Sequence, residues 1–147
     1  MNVELVCYAN YCRSPVVSKI ISNLSNYTIR TSSSGLHPYR DNKMDQRSEK
    51  YLLELGLKDV KHYPREFNES ISHNADLILI CDMNVMFELK EKFKYASSKM
   101  KLVSKYTKGN SPLLDPYTCT SYIEYKNVME QYRIYANDWT NELLKQL

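Results

Sequence analysis

The chain has 147 residues, 43% of them hydrophobic and 25% charged, which suits a single compact domain over residues 1–147 and leaves too little for two. A net charge of +3 without a dense Lys/Arg block argues against a nucleic-acid-binding protein, and the longest apolar run, Leu77 to Cys81, is far too short to cross a bilayer. The Met1 end has no basic segment leading into an apolar stretch, so a cytoplasmic protein without membrane insertion is expected, with its four cysteines free or catalytic rather than paired in a framework.

In chain order, Asn2 to Cys7 reads as a strand. Ser14-Pro15 then supplies an N-terminal hydroxyl and a proline preset for a first helical turn, with Val16, Val17, Ile20, Ile21 and Leu24 as the inward stripe. A second strand is expected from about Tyr27 to Ser33, stopping at Gly35. Asp45 can cap a helix that buries Tyr51, Leu52 and Leu55 and ends at Gly56. Ala75 to Cys81 is a third strand, dense enough in Leu and Ile to be buried on both faces. Val85 to Phe93 reads as helix and Met100 to Ser104 as a fourth strand. After a loop holding Gly109 and Pro112, apolar residues from Tyr122 through Tyr125, Met129, Tyr132, Ala136 and Trp139 to Leu143 recur at helical spacing. The alternation predicts an α/β fold: a four-stranded parallel sheet with helices on both faces and right-handed crossovers, a three-layer sandwich of the flavodoxin type.

In such sheets ligands bind beyond the carboxyl ends of the strands. The stretch Val6-Cys7-Tyr8-Ala9-Asn10-Tyr11-Cys12-Arg13-Ser14-Pro15 lies there, between first strand and first helix. A turn over residues 8–14 can aim backbone N–H groups inward above a helix N-terminus, which makes an anion cradle. Arg13 offers a planar fork for two oxygens of one phosphate, and Cys7 sits where the same donors favour its thiolate. Ser14 can donate its hydroxyl to the sulfur. Zinc fits poorly, because Cys7 and Cys12 are joined by no further pair: Cys81 and Cys119 are isolated, and no His pair completes four ligands. A nucleotide-binding loop fails for want of glycine and of a Gly-Lys-[Ser/Thr] ending. Phosphate-ester cleavage by a thiolate also needs an acid to protonate the departing oxygen, and Asp115, in the proline-stiffened Asp115-Pro116-Tyr117 loop after the fourth strand, is the candidate. Cys12 is five residues beyond Cys7, and a loop curled around a phosphate brings such positions within the ~4.4 to 6.8 Å Cα separation of a disulfide. A Cys7-Cys12 bridge that rescues a peroxide-oxidised Cys7 is therefore expected.

These residues resemble the low-molecular-weight protein tyrosine phosphatases, and the resemblance covers essentially the whole chain. Cys7 to Pro15 is similar to that family's Cys-Leu-Gly-Asn-Ile-Cys-Arg-Ser-Pro loop, and Asp115-Pro116-Tyr117 to its late general-acid motif. The resemblance implies the phosphotyrosine phosphatase fold and a phosphocysteine mechanism without metal or organic cofactor, with Cys7 as nucleophile, Arg13 as clamp and Asp115 as acid and base. It implies inhibition by phosphate or vanadate. It also implies that Asn10 braces the loop through Ser34 and through His62, of the His62-Tyr63-Pro64-Arg65 segment. Asp82 falls where the family carries an aspartate after strand three, and its role stays open. Departures are Ala9 in place of a loop glycine, Tyr8 and Tyr11 in place of aliphatic residues, and Thr118 where many members have a second tyrosine. Tyr8, Tyr11, Tyr39 and Tyr117 can line a slot for a flat phosphophenyl ring. The Ser33-Ser34-Gly35-Leu36 ending of strand two resembles bacterial members that act on tyrosine kinases of capsule and exopolysaccharide export, which implies such a kinase as protein partner. Two alternatives stand beside this: an arsenate reductase of related fold, which needs a cysteine relay that Glu88 after Cys81 does not supply, and a catalytically silent phosphate-binding module.

Overall fold

The computed structural model describes residues 1–108 and 113–147, so the expected turn at Gly109 and Pro112 lies outside the described residues. The elements run β1 (Asn2–Cys7), α1 (Arg13–Leu24), β2 (Arg30–Gly35), α2 (Gln46–Glu54), α3 (Glu69–Asn74), β3 (Leu77–Ile80), α4 (Met83–Lys92), β4 (Met100–Leu102) and α5 (Tyr122–Lys145). The strands form one parallel sheet in the order β2-β1-β3-β4.

Strand alternation sorts the core into two layers. Val3, Leu5, Cys7 and Leu79 join α1, α2 and α5 through Val16, Val17, Leu52, Met129 and Tyr132. Val6, Ile78 and Ile80 point the other way, onto Val85, Met86 and Leu89 of α4. Leu5 and Leu79 are fully buried. Truncating either to Ala should cost about 2–5 kcal/mol.

Some expected boundaries move for identifiable reasons. Strand two starts at Arg30 instead of Tyr27, because Asn26 and Tyr27 take left-handed backbone (φ 48° and 61°) to turn the chain out of α1. Asp45 caps α2 as its position suggests, its side chain accepting from the Arg47 amide, but Leu55 falls past the helix on the exposed side. Gly56 follows with φ 89°, the left-handed turn that a helix end favours. Helix α3 was not foreseen. It is a six-residue segment capped by Asn68 and too short to show a period. One charge sits inside the sheet: Glu4 of β1 is 3% exposed and is matched by Arg65, whose Nη2 lies 3.0 Å from Glu4 Oε1, and by the Ser32 hydroxyl.

Candidate active site

Residues 8–12 connect β1 to α1 and are shaped by the segment that follows β2. The carbonyls of Cys7, Tyr8, Ala9 and Tyr11 accept from the amides of Leu36, His37, Tyr39 and Asp45 at 2.8–3.3 Å. In a trans peptide the N–H opposes the C=O, so the N–H groups of Tyr8, Ala9, Asn10 and Cys12 turn away from that segment and toward the inside of the loop. Cys12 occupies the N-cap of α1 without a side-chain cap bond, which leaves the first-turn amides of the helix free for an anion. Ser14 is therefore not the cap; it lies within the first turn and faces the sulfur. Outside glycine, positive φ among the described residues is confined to Asn10, Asn26 and Tyr27, so Ala9 replaces a glycine without backbone strain.

Gly35, at the end of β2, does more than stop the strand: it makes the loop possible. It pairs with Cys7 in the sheet, and a Cβ there would lie 2.7 Å from Asn10 N and 2.9 Å from Tyr8 O. Backbone on both sides leaves no soft atom to yield.

Behind the loop runs a polar chain. Asn10 is fully buried at φ 52°, and its Oδ1 accepts from the Arg65 amide at 2.9 Å, which fixes the orientation of the side-chain amide. Its Nδ2 then donates to Ser14 Oγ at 2.9 Å and to Ser33 Oγ at 3.0 Å. Ser14 Oγ receives a hydrogen from Asn10, donates to Ser34 O at 3.4 Å and lies 2.9 Å from Cys7 Sγ, so a Cys7 thiol can donate to it and a Cys7 thiolate can accept its hydrogen instead. His62 Nε2 lies 3.0 Å from Asn10 Oδ1 and 3.1 Å from Asn10 O, two acceptors, so Nε2 carries the proton. Burial lowers the His62 pKa to about 4, with Lys19 and Arg65 adding repulsion against the bond to Asn10, so the ring is neutral around pH 7.

The expected brace at Ser34 is corrected by this arrangement. Adjacent strand residues face opposite sides of a sheet, so only one of the two serines can meet Asn10, and that one is Ser33. Ser34 contributes its carbonyl, while its buried hydroxyl has no partner. Arg65 also belongs to the brace: its Nε donates to Ser33 O at 2.9 Å and its carbonyl accepts from the Gly35 amide at 2.9 Å.

Arg13 is 3% exposed and is held from below. Its Nη1 lies 3.3 Å from Asp82 Oδ2 and 3.4 Å from Cys81 O, while Asp82 Oδ1 caps α4 through the amides of Asn84 and Val85. The aspartate left open in the sequence thus orients the guanidinium. Burial opposes the Arg13 charge, but the facing Cys7, Tyr132, Cys81 and Asp115 outweigh it and raise its pKa. Asp115 caps the 3₁₀ turn Pro116–Thr118, has a side chain 56% exposed, and reaches within 3.6 Å of Arg13 Nη2.

Above these groups opens a cleft of about 730 Å³ lined by Cys7, Tyr8, Ala9, Tyr11, Cys12, Arg13, Tyr39, Asp115 and Tyr117, together with the 37–41 segment. Asn10 and Ser14 do not line it; they are fully buried beneath. Tyr11 and Tyr39 stack at 3.8 Å between centroids, and Tyr117 stands edge-on 6.3 Å from Tyr11. Tyr8 lies apart, against His37. Burial, then Asp45, pushes the Tyr11 hydroxyl up to about 12. Cys12 is buried and its thiol lies 3.6 Å from Asp45 Oδ2; burial raises its pKa far above the ordinary thiol value. Among the described residues no group of three or more His, Cys, Asp or Glu is placed to hold a metal ion. Nor is any helix long and apolar enough to cross a membrane.

Chemically, the arrangement sets one thiol at the centre of a ring of amide donors and an arginine fork, with a carboxyl at the mouth: a cradle for a tetrahedral dianion above a sulfur nucleophile. Comparison with known proteins agrees. The family model for low molecular weight phosphotyrosine protein phosphatase matches residues 2–147, and the chain belongs to that family. It is 26% identical over 118 residues to the low molecular weight protein-tyrosine-phosphatase Ptp of Acinetobacter johnsonii, covering 79% of this chain and 80% of that protein. In fold it resembles the tyrosine phosphatase Wzb from Escherichia coli K30 in complex with sulphate (TM-score 0.86, 20% identity, 97% of both chains). It also resembles the YwlE arginine phosphatase from Geobacillus stearothermophilus (TM-score 0.89, 16% identity, 99% of this chain and 94% of that one).

Proposed function

We propose that this chain hydrolyses phosphotyrosine in proteins through a phosphocysteine on Cys7. The observation that carries the reading is the meeting of Cys7 Sγ, 2.9 Å from Ser14 Oγ, with Arg13 and Asp115 at one cleft. The Cys7 thiolate attacks phosphorus in line, the S–P bond forms as the bond to the tyrosyl oxygen breaks, and Arg13 with the loop amides holds the equatorial oxygens. An incoming phosphate replaces Asp115 as the partner of Arg13 and frees that carboxyl to protonate the leaving phenolate. Water then attacks the phosphocysteine, Asp115 takes its proton, and the sulfur leaves as thiolate with phosphate released.

The stacked Tyr11 and Tyr39, with Tyr117 at their edge, form a wall suited to a flat ring. Wzb is named a tyrosine phosphatase and YwlE an arginine phosphatase, so the choice of ester is the point to test. The substrate we infer is a phosphotyrosine protein, with a bacterial tyrosine kinase of polysaccharide export as the candidate partner, in the cytoplasm; phosphate and vanadate should compete for the cradle. The Cys7-Cys12 redox pairing is carried as a further part of this reading. In that step the Cys12 sulfur attacks the sulfur of a Cys7 sulfenic acid, the S–S bond forms as the S–O bond breaks, and the Cys12 thiol proton leaves with the departing hydroxyl as water.

Phosphotyrosine and phosphoarginine peptides offered in the presence of a chelator test the assignment. Turnover of phosphotyrosine, absent in Cys7→Ser and nearly absent in Arg13→Lys while vanadate still binds Cys7→Ser, is the expected result. Preferred turnover of phosphoarginine, or substantial activity in Cys7→Ser, overturns it.

A further inference from the structure

The first turn of α2 carries an arginine that the steps above do not use. Arg47 forms a two-point pair with Asp45, Nε to Oδ1 at 3.0 Å and Nη2 to Oδ2 at 2.7 Å, and lies over Tyr125 with its central carbon 4.2 Å from the ring centroid. The other edge of the fork points at backbone. Nη1 donates to the Cys119 carbonyl at 3.1 Å and Nη2 to the Tyr117 carbonyl at 3.2 Å. Those carbonyls belong to the far end of the 3₁₀ turn that Asp115 caps. The near end is fixed separately, by the Tyr132 hydroxyl on Leu114 O at 2.7 Å.

Asp45 in turn is anchored on the nucleophile loop. Its backbone amide donates to Tyr11 O at 3.0 Å, its Oδ2 accepts from the Cys12 thiol, and the neighbouring Ser48 hydroxyl donates to Cys12 O at 2.9 Å. Burial alone would raise the Asp45 carboxyl, but the bonds from Arg47 outweigh it and hold it below its ordinary value. The hydrogen bond with Asp45 in turn raises the Arg47 guanidinium, so the pair stays ionised around neutral pH. Two cleft walls of distant sequence origin are thus referred to one ion pair.

We propose that Arg47 is the positioning residue of the general acid: by tying the Tyr117 and Cys119 carbonyls to a carboxylate seated on the cradle, it sets where Asp115 stands relative to Cys7. The proposal rests on Asp115 being the acid. Asp115 needs such a tie, because its side chain is mostly in solvent and, among the described residues, its own bonds reach only the Tyr117 amide and Arg13. A lysine cannot substitute, since one ammonium lacks the planar fork that serves a carboxylate and two carbonyls at once.

Arg47→Met and Arg47→Lys, each alone and combined with Asp115→Asn, provide the test. Turnover is measured on phosphotyrosine and on p-nitrophenyl phosphate, whose leaving group departs with little help from an acid, and inhibition by vanadate reports the cradle. Asp115→Asn alone must lose more on phosphotyrosine; if it does not, the acid assignment fails and the proposal falls with it. Given that control, either Arg47 variant should lower kcat on phosphotyrosine roughly 10- to 100-fold, with a smaller loss on p-nitrophenyl phosphate. Vanadate inhibition should stay within about threefold, and little further loss should appear in the Asp115→Asn background. A merely structural arginine would give equal losses on both substrates, or losses that multiply with Asp115→Asn; either result overturns the proposal. Should Arg47→Met not fold, Arg47→Lys, which keeps the charge beside Asp45, is judged by the same readings.

Discussion

Behind the nucleophile loop every side-chain polar group of Asn10 is spoken for, by Ser14, Ser33, His62 and Arg65, whereas at the mouth Tyr11, Tyr39 and Tyr117 are held mainly by one another's rings and Tyr8 rests against His37. The rear is centred on the fully buried Asn10 and its geometry is set by bonds with fixed direction. The mouth is half open and its contacts tolerate sliding. The contrast assigns different tasks: the rear fixes where sulfur, guanidinium and amides stand to within a fraction of an ångström, and the mouth decides which ester is admitted.

If that division is right, the largest losses should come from groups aimed at the reacting atoms, whatever their exposure. Asp115→Asn should cost ~10² to 10⁴-fold on phosphotyrosine and much less on p-nitrophenyl phosphate. Equal losses on the two would move the acid elsewhere. At the rear, Gly35→Ala pushes a Cβ into Asn10 N and Tyr8 O and should displace the loop enough to lower kcat about 10²-fold with no change in any side chain of the cleft. Near-normal turnover in Gly35→Ala would show the loop to be softer than the rear bonding suggests.

The mouth should respond more gently. Tyr39→Leu removes the outer ring of the Tyr11 stack, and KM for phosphotyrosine should rise roughly 3- to 10-fold with kcat nearly kept. A fall in kcat without a change in KM would assign Tyr39 to the rear's task. The smallest effect is one of stability. His62 is held neutral with its pKa lowered from the ordinary 6.5 to about 4, so the unfolded chain binds the proton more readily. Its contribution is present above pH 6.5 and is lost as pH falls from there toward 4. The melting temperature of the wild type should therefore drop by a few degrees more between pH 7 and 5 than that of His62→Gln, by calorimetry. Equal drops would mean that the ring is solvated.

The same contrast explains what could be read from the sequence. Strand and helix order, the Cys7 to Pro15 loop and Asp115-Pro116 were legible because each is a local pattern whose meaning travels with its neighbours. Ser33 in place of Ser34 was not, because a one-residue difference in which side a strand residue faces depends on register against β1. Glu4 with Arg65, Gly35 against Asn10, and Arg47 beneath the acid turn are meetings across 25 to 72 positions, made by the crossovers and invisible to spacing. Asp82 was visible as a residue but not as a function, since its partner lies 69 positions away.

Asp82 divides its carboxylate between two masters, one oxygen on the Arg13 fork and the other on the amides of Asn84 and Val85. Drawing the guanidinium upward onto a phosphate shifts electron density and position at that carboxylate, and the two amides feel it from outside the cleft. Their nuclear magnetic resonances should therefore move when vanadate is added and stay still in Asp82→Asn. The first turn of α4 is in effect a built-in observation post, from which occupancy of the cradle can be followed without labelling, mutating or touching the site itself.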